Sequence, residues 1–471
     1  MLLLVYNQAG AQRIEITKFL PDSIFGTSSV SFTVADMVTG EVLYSLDPQK
    51  TVVPASVQKL ITSSSALEIL GAGYRFKTLI GYTGQLNRSS GTLTGDIIIR
   101  GGGDPVLASE KFSEHYGSIT DTIISAIKKA GIKKVKGRII ADERIYDYNP
   151  VPASWLWEDL GNYYGAGAYG LSVFDNTFRI FLNSGTRGSI PEIIRIFPEI
   201  KGLNLTSYLI SEGTTDQGYV YSAPYGSNSW IVGRVPENRP DFALKASIPD
   251  PPLTLATIVL DSLLSESVEV TGGAATARTV KNFTDAGFRS LHEIVSPPLS
   301  DIVKLLNNES VNLIAEHLLK QIGYEATGLG STEAGIEAIE TFLDSAGLAM
   351  NGVFIEDGSG VSPYNGTHSA FITSLIRYMT NNSSNSEIFR NSLPNAGKEG
   401  TMKSFFRDPV FSNNLKAKTG TLTRVKSFAG LFRGNSGKEY VFCIIMNNYN
   451  GTTSVAIKNV EEMMKQIIIN N

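Results

Sequence analysis

The chain has 471 residues, 42% of them hydrophobic and 18% charged, so it is long enough to bury more than one hydrophobic core. Its formal net charge of -4 lacks the basic excess of nucleic-acid-binding proteins, and we predict no nucleic-acid partner. The sequence contains no run of about 20 apolar residues, so we also predict no transmembrane segment.

The N-terminus has some features of an export signal. Residues 1–6 are apolar, and Ala9, Gly10 and Ala11 resemble a signal-peptidase site. A secretory signal carries positive charge before its apolar stretch, whereas no positively charged residue precedes Arg13. Two interpretations remain: the remnant of a signal whose start lies upstream, or an irregular N-terminus. We favour the first and expect an exported protein of the periplasm or cell envelope.

The first predicted elements are a hairpin and a helix. Val30, Phe32 and Val34 alternate with small or polar residues, residues 36–40 supply a turn, and residues 42–44 return as a second strand. Apolar residues at helical spacing then predict a helix that begins near Ser56 and continues to about Leu70.

The middle of the chain differs in composition. Residues 82–280 are richer in glycine, proline, threonine and short β-like runs. Further on, residues 415–418, 427–432 and 440–446 predict strands, and residues 455–469 predict a helix. Both chain ends therefore resemble parts of one α+β body, interrupted by one large or two smaller inserted domains.

The sequence offers no pattern for a metal or a cofactor. Cys443 is the only cysteine, which excludes a disulfide within the chain and a cysteine metal site. The four histidines show no metal-ligand spacing, which disfavours a zinc peptidase and a Ser-His-Asp hydrolase. We predict that the protein needs no cofactor and no metal.

Three short motifs carry the chemistry. Ser56 and Lys59 are three residues apart, which on a helix places a hydroxyl and its potential base on one face. The motif alone is weak, because Ser125 and Lys128 have the same spacing on what we interpret as an exposed helix.

The second motif is Ser310-Val311-Asn312, between two predicted helices. A serine there could equally cap a helix, and Ser383-Ser384-Asn385 also fits the pattern. The third motif, Lys418-Thr419-Gly420-Thr421, occurs once and follows a predicted strand. On an edge strand the lysine and threonines could face a substrate carboxylate, and the glycine would let the substrate backbone approach.

The order of the three motifs is more specific than any one of them. A nucleophile helix, an inter-helix loop and a strand near the C-terminus follow one another as in serine β-lactamases and penicillin-binding proteins. About 250 residues separate Ser56 from Ser310, far more than in a compact β-lactamase. The chain resembles the low-molecular-mass class C penicillin-binding proteins, the D-Ala-D-Ala carboxypeptidase/endopeptidases of the penicillin-binding protein 4 type. The resembling segments are residues 95–105, 157–164, 248–252, 308–316, 357–362 and 417–422.

The resemblance implies an α+β fold in three parts. A β-lactamase/transpeptidase-like catalytic domain, with an antiparallel sheet flanked by helices, would comprise residues 1–80 and 281–471. A β-rich domain II would comprise residues 81–172 and 246–280. A β-rich domain III, inserted in domain II, would comprise residues 173–245.

The resemblance also implies catalytic and binding roles. Ser56 would form an acyl-enzyme while Lys59 accepts its proton, and Ser310 would relay a proton to the leaving amine with Lys59 and Lys418. Asn312 would hold the substrate amide. The terminal carboxylate of a peptidoglycan peptide would bind Lys418, Thr419 and Thr421 beside Gly420, and β-lactam antibiotics would acylate the same serine.

Substrate specificity is only partly implied. Asp159 matches a family carboxylate that binds the free amine of the stem diamino acid, and Tyr164 matches a neighbouring aromatic wall; a solvated loop carboxylate is the alternative for Asp159. Where the family has an arginine after residues 357–362, this chain has Pro363, which leaves the identity of the diamino acid open.

We expect both carboxypeptidase and endopeptidase activity; a β-lactamase and a catalytically inactive peptidoglycan-binding protein are the alternatives.

Overall fold

A computed structural model of the protein describes residues 14–471, so the predicted export signal lies outside the described residues. Contacts divide the chain into two compact units. The first unit comprises the residues up to Ala72, together with Val303–Ser310 and Ile339–Asn471. The second unit comprises Gly73–Ile302 and Val311–Ala338.

Residues 14–72 form the predicted hairpin and helix, with two 3₁₀ turns at Ile16–Phe19 and Ala55–Gln58. In chain order the elements are α1 (Asp22–Phe25), β1 (Ser29–Asp36), β2 (Val42–Leu46) and α2 (Lys59–Ile69).

The middle of the chain is mainly short strands, as its composition predicts. The strands are β3 (Lys77–Tyr82), β4 (Gln85–Asn87), β5 (Thr92–Thr94), β6 (Ile97–Arg100), β7 (Lys134–Lys136), β8 (Ile139–Asp142), β9 (Thr177–Asn183), β10 (Glu192–Phe197), β11 (Asn204–Ser211), β12 (Gln217–Tyr221), β13 (Asn228–Val235), β14 (Phe242–Ser247), β15 (Glu269–Val270), β16 (Ala274–Thr276) and β17 (Arg289–Val295). The helices are α3 (Ser113–Tyr116), α4 (Ile119–Lys129) and α5 (Pro251–Ser265).

Helices dominate the chain after β17, before three final strands and a helix. They are α6 (Leu299–Glu309), α7 (Asn312–Thr327), α8 (Thr332–Ser345), α9 (Ser369–Asn381) and α10 (Ser386–Ser392), followed by β18 (Leu415–Leu422), β19 (Val425–Arg433), β20 (Glu439–Asn447) and α11 (Thr453–Asn470).

The first unit is built on an antiparallel sheet of order β18-β19-β20-β1-β2, in which β18 is an edge strand. Alternate residues of its strands form one apolar face, including Phe32, Phe428 and Ile444, and this face packs with α11. On α11, Val460, Met463, Met464 and Ile467 are fully buried at helical spacing. Each such side chain contributes roughly 1.5–3 kcal/mol of hydrophobic stabilisation.

The opposite face of the same sheet carries small polar residues and packs with α9. Ser31 Oγ donates a 3.0 Å hydrogen bond to Ser369 Oγ, and Thr33 Oγ1 lies 2.7 Å from the same atom. Because these buried hydroxyls are paired, the helix can approach the sheet closely without leaving polar groups unsatisfied. Both chain ends therefore contribute to one sheet flanked by helices.

The second unit contains four sheets, of orders β16-β8-β6-β3-β17, β15-β7-β5-β4, β10-β9-β14 and β11-β13-β12. The last two share a core of their own, formed by residues such as Phe178, Ile180, Val220 and Ile231. Most of that core falls within the residues assigned to domain III, with Ala246 and Ile248 just beyond them, and the three-domain division stays a prediction. Among residues 14–471, none of the helices has the length and apolar character needed to span a bilayer.

Candidate active site

Ser56 lies on the 3₁₀ turn that leads directly into α2. Lys59 Nζ donates a 3.0 Å hydrogen bond to Ser56 Oγ and a 2.6 Å hydrogen bond to the main-chain oxygen of Ser359. Ala55, just before the serine, has a φ of +50°, a left-handed conformation that is costly for a non-glycine residue and concentrates at functional sites. The bond to Lys59 places an amine within reach of the serine proton.

The loop that supplies the Ser359 carbonyl is fixed by a buried carboxylate. The two carboxylate oxygens of Asp357 accept 2.6 Å hydrogen bonds from the main-chain N–H groups of Gly360 and Ser362. Asn365 Nδ2 donates a further 2.8 Å bond to Asp357. The acceptor that orients Lys59 is therefore held by a network rather than by a mobile loop.

Ser310 occupies the connection between α6 and α7 in an unusual backbone conformation, with a φ of +60°. Lys418 Nζ, from the edge strand β18, donates 2.7 Å hydrogen bonds to Ser310 Oγ and to the main-chain oxygen of Thr419. Ser310 is not the N-cap of α7, a position held by Val311. The helix-cap alternative for Ser310 therefore does not fit the structure.

Lys418 is fully buried, and its electrostatic environment disfavours its charged form. Burial, followed by the charges of Lys59 and Lys426, lowers the pKa of Lys418 well below its usual range. Lys59 therefore lies close enough to Lys418 for its charge to act on that lysine. A lysine whose proton is easily lost suits proton transfer.

Gly420 brings β18 against the turn that carries Ser56. A Cβ atom at position 420 would lie 2.2 Å from Ser427 Oγ, 2.8 Å from the main-chain oxygen of Pro54 and 2.9 Å from the main-chain nitrogen of Ser56. Any larger residue would have to displace this backbone, so glycine is required for the close approach.

Lys426 is a residue of this site that the sequence analysis missed. It lies opposite Thr421 in the β18–β19 hairpin, and its Nζ donates a 2.8 Å hydrogen bond to Thr421 Oγ1. Its ammonium packs over the rings of Phe405 and Phe428, at 4.1 and 4.9 Å from their centroids. Burial lowers the pKa of Lys426 to about 8. The predicted strands end at 418 and begin again at 427, so Lys426 fell in the predicted connection, whereas in the structure β18 and β19 pair up to Leu422 and Val425.

The remaining predicted residues lie in the second unit. Asn312 Nδ2 donates a 2.7 Å hydrogen bond to the main-chain oxygen of Tyr164. The Tyr164 side chain is hydrogen-bonded to Asp159. Burial raises the pKa of Asp159, while the bond to Tyr164 lowers it and the charge of Glu158 raises it. In a partly buried carboxylate of this kind, an incoming ammonium group would stabilise the charged form.

The predicted residues thus fall into two groups. The first unit brings together Ser56, Lys59, Ser310, Lys418, Thr419, Gly420 and Thr421. The second unit brings together Asp159, Tyr164 and Asn312, and only Val311 separates Asn312 from Ser310 along the chain. Within residues 14–471, no group of three or more histidine, cysteine, aspartate or glutamate side chains is arranged to hold a metal ion.

Comparison with known proteins identifies the family. A sequence profile of the D-Ala-D-Ala carboxypeptidase 3 (S13) family matches residues 12–470, nearly the whole chain. The chain belongs to this family. The predictions of a penicillin-binding protein of the penicillin-binding protein 4 type, and of a serine-type D-Ala-D-Ala carboxypeptidase, are confirmed. The S13 family consists of cell-wall enzymes that act on peptidoglycan.

Individual relatives agree with this assignment. The S13 chain is 27% identical over 463 residues to a D-alanyl-D-alanine carboxypeptidase of Actinomadura sp. (strain R39), a match that covers 95% of this chain and 83% of that protein. The crystal structure of penicillin binding protein 4 from Haemophilus influenzae superimposes with a TM-score of 0.80 at 21% identity, covering 96% of this chain and 98% of that one. This likeness confirms the predicted α+β fold class.

Proposed function

We propose that the protein hydrolyses D-alanyl-D-alanine bonds at the ends of peptidoglycan stem peptides, and D-alanyl bonds in cross-links, through an acyl-enzyme on Ser56. The 3.0 Å hydrogen bond between Lys59 Nζ and Ser56 Oγ carries this proposal, because it pairs a nucleophile with a base. The second hydroxyl–lysine pair, Ser310 and Lys418, supports it.

The reaction follows from these contacts in two stages. Ser56 Oγ attacks the carbonyl carbon of the penultimate D-alanine while Lys59 Nζ takes the serine proton. The main-chain N–H groups of Ser56 and Thr421 stabilise the oxyanion. Ser310, hydrogen-bonded to Lys418, relays the proton held by Lys59 to the leaving amine, the C–N bond breaks, and an ester on Ser56 remains. A water molecule then hydrolyses the ester and restores the serine.

Charged and hydroxyl groups on β18 and β19 would bind the terminal carboxylate. Thr419, Thr421 and the amino group of Lys418 would donate hydrogen bonds to it. Because Lys426 Nζ donates to Thr421 Oγ1, the hydroxyl proton of Thr421 is left to point away from Lys426 and towards the substrate. Lys426 would therefore act as a positioning residue and add a positive charge.

Residues of the second unit would bind the rest of the stem. Asn312 would hold the amide before the scissile bond, and Asp159 would bind the free amine of the diamino acid, with Tyr164 as the aromatic wall. The hydrogen bond between Tyr164 and Asp159 supports this assignment, because it fixes the carboxylate and favours its charged form.

Endopeptidase action and inhibition by penicillins extend the same chemistry. A predatory peptidoglycan endopeptidase from Bdellovibrio bacteriovorus shares the fold, with a TM-score of 0.51 at 17% identity, and the Haemophilus influenzae protein has been crystallised with a β-lactam. We propose that cross-linked stems and penicillins both acylate Ser56, and that the enzyme acts in the periplasm or cell envelope. A β-lactamase would have to deacylate rapidly, and an inactive binding protein would not acylate.

The direct test incubates the protein with a stem pentapeptide and with a cross-linked dimer. Release of D-alanine from the first, and of monomers from the second, would be followed by chromatography. Ser56→Ala should abolish both. Release from the pentapeptide alone would overturn the endopeptidase half of the proposal, and turnover of penicillin on the second timescale would favour a β-lactamase.

A further inference from the structure

A cleft of about 900 Å³ lies in the second unit, outside the residues assigned to the reaction except for Tyr164. It is bounded by the 3₁₀ turn Tyr163–Gly165, by β12, which is an edge strand, and by β14. Its size falls within the range of specific small-molecule sites. Three tyrosines (Tyr163, Tyr164 and Tyr219) and three polar side chains (Asp216, Gln217 and Arg234) contribute to its lining.

The walls of the cleft are joined by hydrogen bonds between side chains and the main chain, and by the close approach of a glycine. Asn162 Oδ1 accepts a 3.1 Å hydrogen bond from the N–H group of Val220 on β12, and Ser247 Oγ on β14 donates a 2.6 Å bond to the main-chain oxygen of Leu160. A Cβ atom on Gly161 would lie 2.0 Å from the main-chain oxygen of Val220, so only glycine permits this approach. The cleft is therefore preformed.

Exposed aromatic rings extend from the cleft along the sheet. Tyr163 is 56% exposed and Tyr219 is 45% exposed. Tyr221 lies on the same face of β12 as Tyr219 and stacks on Trp230, with ring centroids 5.6 Å apart and planes 6° from parallel. Trp157, 53% exposed, covers this pair at 6.4 and 6.1 Å. A cluster of exposed and half-buried aromatic side chains beside a cleft is typical of a binding surface.

We propose that this cleft binds the amino-sugar glycan strand to which the stem peptide is attached, an inference that rests on the proposed function. Sugar rings present apolar C–H faces and polar edges. The tyrosine rings offer flat, rigid apolar surfaces with a hydroxyl at one end. Gln217 on β12 pairs with Arg234 on β13. Together with Asp216 they supply hydrogen-bond donors and acceptors for hydroxyl and acetamido groups.

The position of the cleft supports a glycan rather than an unrelated ligand. Trp157, Asp159 and Tyr164 belong to one stretch of eight residues. Tyr164 contributes to the lining of the cleft, and its main-chain oxygen accepts the hydrogen bond from Asn312. A stem whose amine meets Asp159 is covalently linked to a sugar at its N-terminal end, so that sugar is expected on a surface in the neighbourhood of Asp159.

The test compares two substrates in parallel: a free stem pentapeptide and the same pentapeptide attached to its disaccharide. The ratio of kcat/KM for the second to kcat/KM for the first measures glycan recognition. We expect a ratio of about ten for the native protein, and a ratio near one for Tyr219→Ala and for Tyr163→Ala/Tyr219→Ala, since one or two aromatic contacts are worth about that factor. Tyr208→Ala is the matched control, because Tyr208 is 64% exposed on β11 of the same sheet but does not line the cleft.

Each outcome decides the inference. A ratio near one in the native protein, or a ratio that Tyr219→Ala leaves unchanged, would overturn it. If Tyr219→Ala lowers kcat/KM equally for both substrates, the inference is also overturned, and the cleft is a peptide subsite instead. In a second measurement, calorimetric titration of Ser56→Ala with peptide-free glycan should show binding that Tyr219→Ala removes and Tyr208→Ala retains. Failure of the native protein to hydrolyse the free pentapeptide would instead contradict the proposed function.

Discussion

Lys418 Nζ donates a 2.7 Å hydrogen bond to Ser310 Oγ, which links the edge strand β18 to the connection between α6 and α7. The serine is held at a φ of +60°, and the lysine is fully buried with a pKa well below its usual range. Such a pair is suited to moving a proton rather than to stabilising the fold, since a buried lysine costs free energy.

If Ser310 and Lys418 act as one proton relay, replacing either residue should slow acylation about as much as replacing both. We expect Ser310→Ala and Lys418→Ala each to reduce the rate of acylation by penicillin by roughly 10²–10⁴-fold. The double variant should lose little more. Stopped-flow acylation measures all three, with circular dichroism as the check on folding. Fully multiplicative losses would mean that the two residues act independently.

From the lowered pKa of Lys426 we predict that substrate binding weakens at alkaline pH. Burial lowers its pKa to about 8, so the ammonium loses its charge as the pH rises through about 8. The attraction for the terminal carboxylate then weakens, and the KM for a D-Ala-D-Ala peptide should rise above that pH while kcat changes less. Lys426→Arg keeps the charge and should shift the rise to higher pH. A KM profile that is the same in both proteins would exclude a role for Lys426 in carboxylate binding.

Asp159 and Tyr164 predict selectivity for a free amine on the stem. We expect Asp159→Asn to raise the KM about tenfold for an amine-bearing stem, the loss of one charge-assisted hydrogen bond, and to leave an acetylated stem unaffected. Tyr164→Phe removes a hydrogen bond that lowers the pKa of Asp159, so this pKa should rise. The acid limb of kcat/KM for the amine-bearing stem should then move to higher pH. Equal effects on both stems would show that Asp159 does not bind the amine.

The close packing around Gly420 predicts a steric effect on stability as well as on acylation. In Gly420→Ala the new methyl group would meet the main chain at Pro54 and Ser56, and we expect a loss of about 1–3 kcal/mol in the free energy of unfolding. Penicillin acylation should also slow, because the turn that carries Ser56 must move. Gly73→Ala is the control, since a Cβ atom there meets nothing within 4 Å. Equal stability of the two variants in urea would contradict the close approach.

The sequence predicted features that depend on local patterns. The β1–β2 hairpin, α2 and α11 follow from apolar periodicity. The motifs Ser310-Val311-Asn312 and Lys418-Thr419-Gly420-Thr421 identified Ser310 and Lys418 as candidate site residues. Lys426 was missed because its role depends on its pairing with Thr421 across the β18–β19 hairpin, and the apolar pattern alone ends one strand at 418 and begins the next at 427. The cleft beside Tyr164 could not be predicted, because β12, β14 and residues 160–165 are far apart in sequence and short alternating strands do not specify their partners.

The central claim is that Ser56 is the nucleophile, and a penicillin adduct tests it most directly. The protein would be incubated with a fluorescent penicillin, digested and mapped by mass spectrometry, with Ser125→Ala as the matched variant, since Ser125 has the same spacing to a lysine on α4. We predict a long-lived adduct on the peptide that contains Ser56, present in Ser125→Ala and absent in Ser56→Ala. No adduct, or an adduct on another residue, would contradict the account.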